Sequence, residues 1–255
     1  MYIFLCNTTL FQFSLFPDLV PKSFTSPLSN PLPLPYNKGW QRNPRSGKEI
    51  RLKHILCFGD SNTHGYIPGG GRYDIKTRWT GILADLLGRD YRIIEEGLNG
   101  RTSSLEDPFD PYKNGMEYIV PCLQTHEPLD LTVLMLGSND MKIYFGPSVE
   151  KIAGSLNKLC KTILTVSEAP VLLVSPIVLG DNMAESEFAA SFPPSSLEIS
   201  HKLGKALGQV AASLDIPFLD AAQFALPSEE DSLHLTAEGH TQLAVALAKK
   251  IRTIL

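Results

Sequence analysis

From residue 51 onward, short runs of apolar and β-branched residues alternate with longer stretches whose apolar positions recur every three or four residues. The short runs at 54–58 (HILCF), 91–95 (YRIIE), 131–136 (LTVLML), 171–175 (VLLVS) and 217–219 (PFL) read as strands. The longer stretches at 78–87, closed by Gly88, and at 115–125, 148–166, 195–214 and 237–251 read as helices. Strands regularly separated by helices imply parallel pairing with right-handed crossovers. The expected fold class is therefore α/β, a three-layer α/β/α sandwich around a parallel sheet of about five strands.

The first fifty residues break this pattern. Between Met1 and Tyr36 the only charged side chains are Asp18 and Lys22, while prolines stand at 17, 21, 27, 31, 33 and 35, with another at 44. Proline at that density sustains neither a helix interior nor a central strand. Residues 1–50 are read as a proline-rich, poorly ordered N-terminal extension and residues 51–255 as the folded domain. The opening MYIFLCNTTLFQFSLF lacks the basic n-region and small-residue cleavage site of a signal peptide, so the expected location is cytoplasmic. The sequon Asn7-Thr8-Thr9 would matter only in an exported chain.

Charge narrows the partners. With 27 acidic and 23 basic side chains the net charge is −4, and Lys and Arg are scattered, so no nucleic-acid partner is expected. No window approaches the roughly 18 apolar residues of a spanning helix, so no membrane partner is expected either. Cys6, Cys57, Cys122 and Cys160 lie far apart, with no C-x-x-C pair and no spacing to histidine that suggests a zinc site. They read as buried thiols, and no metal is expected.

In a parallel α/β sheet, ligands gather beyond the carboxyl ends of the strands. Four loops occupy such places: FGDSNTHG at 58–65, EGLNGRTS at 96–103, LGSND at 136–140, and DSLH at 231–234 before the last helix. They contain neither a phosphate-cradling G-x-x-x-x-G-K-[ST] or G-x-G-x-x-G nor the serine elbow G-x-S-x-G. A serine hydroxyl becomes nucleophilic only with an imidazole to take its proton and a carboxylate to orient that imidazole. Asp231 and His234, three residues apart on a turn, can project to one side as that pair. The bland alternative is a solvated Asp beside a helix whose cap is Thr236. Acyl transfer also needs donors for an oxyanion, which the Ser61 N–H, the Gly100 N–H and the Asn139 side-chain amide can supply. A tight Asn99-Gly100 turn and an asparagine bonding its own backbone are the alternatives.

Taken in order, Gly59-Asp60-Ser61, Gly100, Gly137-Ser138-Asn139-Asp140 and Asp231-Ser232-Leu233-His234 resemble the four-block pattern of the SGNH hydrolases, the GDSL lipase and esterase superfamily. The resemblance covers residues 54–255. It implies a flavodoxin-like sandwich with Ser61 as nucleophile, His234 as general base, Asp231 as its orienting carboxylate, and Ser61, Gly100 and Asn139 as the oxyanion hole, with no cofactor. The stretches RWTGILADLLG, RIIEEGLNGRTS, NGMEYIVPCLQTHEPLDL and VLMLGSNDMKIYF resemble the arylesterase and acyltransferase branch. That likeness implies a homo-oligomer acting on small-molecule esters with short acyl chains, with possible transfer to alcohols or peroxide. Alternatives are a carbohydrate deacetylase using the same machinery and a binding module that keeps the fold without the chemistry. Two positions depart from the pattern: Asn62 stands where the name-giving motif has leucine, and Tyr66 where the mycobacterial acyltransferase has tryptophan.

Asn62, Tyr66, Lys142 and Ile143 are the substrate-pocket candidates, with Tyr144 and Phe145 alongside or in a subunit contact. Arg101 is expected to pair with a carboxylate such as Asp60 or Asp107, or to meet an anionic substrate group. Asp60 is read as organising its loop, and Trp79 as packing the first helix or lining the entrance. His54, His64, His126, His201 and His240 have no partners at ligand spacing and are read as non-catalytic, with His64 the foremost exception because it sits in the nucleophile loop. Residues 180–194 are expected to form a long loop exposing Met183, Phe188 and Phe192 as a lid or an interface.

Overall fold

The computed structural model describes residues 51–255. The expected extension at 1–50 lies outside the described residues. Five strands form one sheet: β1 (Lys53–Gly59), β2 (Tyr91–Gly97), β3 (Leu131–Met135), β4 (Val171–Ser175) and β5 (Phe218–Asp220). Their order is β2-β1-β3-β4-β5 and every pairing is parallel. This is the order of doubly wound flavodoxin-like sheets, in which the winding reverses beside β1 and opens a crevice at the strand ends.

Alternation along the strands sorts the core into two layers. On β1, Ile55 and Cys57 face one side, with Val133 and Met135 of β3 and Leu172 and Val174 of β4. Leu56 and Phe58 face the other side, with Leu134 and Leu173. The first layer is covered by α2 (Trp79–Leu87) and α6 (Ala237–Ile251), which pack on each other through Trp79, Leu83, Leu243 and Leu247. The second is covered by α3 (Gly115–His126), α4 (Val149–Val166) and α5 (Pro194–Ser213). In α4 the buried residues Ile152, Leu156, Leu159, Cys160 and Ile163 fall on one stripe, and Ser148 caps its start by accepting from the Lys151 N–H. Trp79 is fully buried, as the packing reading expects. No helix among the described residues is long and apolar enough to cross a membrane.

Two regions differ from the expectations. The nucleophile loop contains a single helical turn, α1 (Ser61–His64), capped by the Asp60 carboxylate, which accepts from the Asn62 N–H at 3.0 Å. Residues 180–194 do not expose their apolar side chains as expected. They form a 3₁₀ turn at Asp181–Glu185 and further tight turns that bury Met183 and Phe192 in the core, and the following helix starts at Pro194. The Gly180 N–H anchors this segment on the Ser232 carbonyl at 2.8 Å.

Candidate active site

The chain brings the four predicted loops together at the carboxyl ends of β1, β2 and β3 and the start of α6. Ser61 follows β1 directly, and α1 lies so close to the end of β2 that a Cβ on Gly97 would sit 2.2 Å from the His64 nitrogen. Glycine at 97 therefore lets the serine-bearing turn settle onto the sheet.

Ser61, His234 and Asp231 form one hydrogen-bonded line. The Ser61 Oγ lies 2.8 Å from His234 Nε2, and His234 Nδ1 lies 2.7 Å from Asp231 Oδ2. All three are buried. The other carboxylate oxygen, Asp231 Oδ1, accepts from the backbone N–H groups of Leu233 at 3.0 Å and His234 at 2.9 Å. The same carboxylate thus folds the turn and orients the ring it serves. Burial pushes the Asp231 carboxyl upward, but the hydrogen bond and charge of the His234 ring and these two N–H groups outweigh it, so the group stays below the usual carboxylate range. With Asp231 accepting from Nδ1–H, the Nε2 lone pair faces the serine hydroxyl, the arrangement required to remove its proton.

Hydrogen bonds tie together the loops that carry the three oxyanion candidates. Gly100 has φ +78, a left-handed conformation suited to glycine, and the loop around it is held by the Arg101 N–H donating to the Leu98 carbonyl at 3.1 Å. Asn139 is buried and donates one amide N–H to the Arg101 carbonyl at 3.1 Å, which joins the third loop to the second. Among the described residues, neither the Ser61 N–H nor the Gly100 N–H makes an internal hydrogen bond. Donors without internal partners beside a nucleophile can receive a negatively charged oxygen.

Arg101 departs from expectation. Instead of pairing with Asp60 or Asp107, its guanidinium donates to the Gly59 carbonyl at 2.9 Å and to the Glu96 carbonyl, and it lies 4.1 Å from the Phe58 ring centre. Backbone carbonyls and an aromatic face satisfy this buried cation, so it staples the end of β1 to the end of β2. Asp107 pairs instead with Lys142 Nζ at 2.8 Å and accepts from the Tyr144 hydroxyl at 2.7 Å. Asp60 organises its loop as expected, and burial raises its carboxyl.

The pocket candidates divide. The Tyr66 ring lies 4.4 Å from the His234 ring, centre to centre. Asn62 is not a pocket wall: it is 4% exposed and its side chain is consumed by backbone hydrogen bonds. Lys142 is turned to Asp107, and Ile143 is 52% exposed with its N–H on the Ser191 carbonyl at 2.8 Å. Two further members have closer roles than the sequence assigns: Phe188 is expected only as part of a lid or an interface, and Asp140 only as part of its motif. Phe188 meets His234 edge-on at 5.5 Å, from the segment expected to be a loop. Asp140 is buried and accepts from the Ser103 N–H at 3.0 Å and from the Ser103 hydroxyl. A carboxylate directly after Asn139 was the available signal for the second; the first follows only from the fold.

Cys57, Cys122 and Cys160 are buried free thiols as expected, Cys6 lies outside the described residues, and Cys122 belongs to a cluster that its sequence neighbours do not disclose. Cys122 and His126 stand four residues apart on α3 and lie with Glu96 of β2 within 4.8 Å of one another. His126 Nε2 is 2.9 Å from Glu96 Oε1, and the Tyr118 hydroxyl donates to Glu96 Oε2 at 3.3 Å. Burial first, and then Glu96, push the Cys122 thiol up to about 12, and Arg101 places a fixed positive charge 5.4 Å from the Tyr118 ring centre. The Arg101 charge opposes a cation and His126 and Glu96 already bond each other, so these donors fit a hydrogen-bonded support better than a metal centre.

A model of the GDSL-like lipase/acylhydrolase family matches residues 57–242. The inhibitor-bound structure of the M. smegmatis aryl esterase is 37% identical, with TM-score 0.77, over 80% of this chain and 100% of that one. Est24, a carbohydrate acetylesterase from Sinorhizobium meliloti, is 36% identical, with TM-score 0.77, over the same 80% and 100%. No curated protein matches the chain.

Proposed function

The chain belongs to the GDSL-like lipase/acylhydrolase family and is a carboxylic ester hydrolase, and from that premise we propose that it is a serine esterase acting on short-chain acyl esters through an acyl-enzyme. The observation that carries this reading is the continuous line from Ser61 Oγ through the His234 ring to Asp231.

His234 Nε2 takes the Ser61 proton as Oγ attacks the ester carbonyl. The carbonyl oxygen becomes an oxyanion received by the Ser61 N–H, the Gly100 N–H and the second amide hydrogen of Asn139. Collapse breaks the bond to the leaving alcohol, whose oxygen takes the proton from His234, and leaves the acyl group on Ser61. Water then attacks the acyl carbon, yields its proton to His234, and releases the acid as Ser61 recovers its proton. Throughout, the Asp231 carboxylate stabilises the imidazolium. An alcohol or a peroxide in place of water gives ester or peracid, and this acyl transfer is part of the proposal.

The aromatic rings of Tyr66 and Phe188 against His234 favour an ester whose leaving group is aromatic or apolar. The chain is further proposed to assemble with copies of itself. Phe109 and Tyr112 are 78% and 88% exposed on a loop whose Asp110 and Lys113 lie against Gly100, and large exposed apolar side chains beside a site suit a subunit contact.

Removal of acetyl groups from a sugar is the second reading, favoured by the likeness to Est24. Initial rates on p-nitrophenyl acetate and on a peracetylated sugar separate the two. The proposal expects the aryl ester to have the higher kcat/KM, and a clear preference for the sugar acetate replaces it with the deacetylase.

A further inference from the structure

We propose that Asn62 is a positioning residue that sets the Ser61–His234 geometry by bridging the backbone on both sides of His234. This rests on the reading of Ser61 and His234 as nucleophile and base.

Four hydrogen bonds hold Asn62. Its side-chain Nδ2 donates to the Leu233 carbonyl at 3.2 Å, and its Oδ1 accepts from the Leu235 N–H at 2.9 Å. Its own N–H donates to Asp60 Oδ1 at 3.0 Å, and its carbonyl accepts from the Trp79 indole N–H at 3.0 Å. The backbone of Asn62 is thus fixed to the loop cap and to α2, while the side chain reads residues 233 and 235 as a neighbouring strand would. Ser61 is covalently next to one end of this bridge, and His234 lies between the two groups at the other end. The 2.8 Å contact from Ser61 Oγ to His234 Nε2 therefore closes a small ring whose opposite side is the Asn62 amide.

The chemistry of the position is specific. A planar head with one donor and one acceptor at this reach satisfies both backbone groups, and Leu235 is fully buried, so its N–H has no water to turn to. Leucine, the residue of the name-giving motif, has neither group. Displacement of a reacting group by about 1 Å can cost on the order of 10²-fold in rate, which sets the scale of the expected effect.

The test compares wild type, Ser61→Ala, Asn62→Leu and Asn62→Ser on p-nitrophenyl acetate. It adds the rate of inactivation by phenylmethanesulfonyl fluoride, which reports the nucleophilicity of Ser61 directly. Asn62→Leu is expected to lower kcat and the inactivation rate together by about 10- to 100-fold while KM stays within about twofold. A folded variant with both rates within about threefold of wild type overturns the proposal, as does a raised KM at unchanged kcat, which would make Asn62 a substrate contact. If Asn62→Leu does not fold, Asn62→Ser is held to the same criteria. Amide exchange in the wild type provides a check without substitution: the Leu235 N–H should exchange at the slow rate of the core strands, and exchange at loop rates overturns the bridge. Turnover by Ser61→Ala would instead remove the reading on which the proposal rests, and is distinguishable from an indifferent Asn62→Leu.

Discussion

The Asp140 carboxylate holds Ser103 by both its N–H, at 3.0 Å, and its hydroxyl. Asp140 follows Asn139, and Ser103 lies three residues beyond Gly100, so this contact and the Asn139–Arg101 hydrogen bond tie the two oxyanion loops together twice. Burial raises the Asp140 carboxyl to about 6, with Asp60 adding to the rise, so the group is ionised at pH 8. Asp140→Asn places an amide where a carboxylate accepts two hydrogens. It is expected to lower kcat by about tenfold at pH 8 with little change in KM, roughly the loss of one charge-assisted hydrogen bond. Steady-state kinetics on p-nitrophenyl acetate check this; an unchanged kcat would make the contact one of stability alone.

Phe188 and Tyr66 present two aromatic walls to His234. Phe188→Ala removes one of them, and an aromatic contact is worth about 0.5–1.5 kcal/mol. KM for an aryl acetate should rise about two- to tenfold, whereas KM for ethyl acetate should change less. Equal effects on the two esters would show that the ring does not meet the leaving group.

His240 is fully buried, and its Nδ1 accepts from the Trp79 N–H at 3.3 Å. Burial, with the charges of Arg78 and His234, lowers its pKa from 6.5 to about 4, so the native protein holds it neutral while the unfolded chain protonates it. Its contribution to stability is complete above pH 6.5 and is lost as the pH falls toward 4, amounting to about 2–3 kcal/mol by pH 4.5. His240→Asn keeps an acceptor for Trp79 and removes the titration. Urea unfolding at pH 7.5 and 4.5 should show that much more acid destabilisation in the wild type than in the variant. Asp140 acts in the opposite sense, losing stability as pH rises toward 6, but it is present in both proteins and cancels.

What the sequence disclosed follows from which interactions are local. The strands and helices were readable because a continuous apolar run such as VLLVS and the stripe from Ile152 to Ile163 each encode their own burial. The four chemical loops were readable because each sits beyond a strand or before the last helix, where a parallel sheet delivers ligands. Non-local partners were not readable. Residues 180–194 suit a loop by Gly180, Pro193, Pro194 and their polar residues, whereas Met183 and Phe192 dock on a core assembled from distant strands. Charge alone points Arg101 to an acidic partner, but carbonyls at two strand ends and an aromatic face satisfy it instead. Cys122 and His126 carry helical spacing, but their company with Glu96 depends on how α3 lies along an edge strand. Asn62 looked like a pocket residue because it adjoins Ser61, and only the tertiary contact with residues 233 and 235 reveals its bonds.

The central claim is that Ser61 is the nucleophile. Release of p-nitrophenol from p-nitrophenyl acetate by the wild type beside purified Ser61→Ala tests it most directly. The account predicts that the variant keeps its fold and loses nearly all turnover. Substantial turnover in pure, folded Ser61→Ala would contradict it.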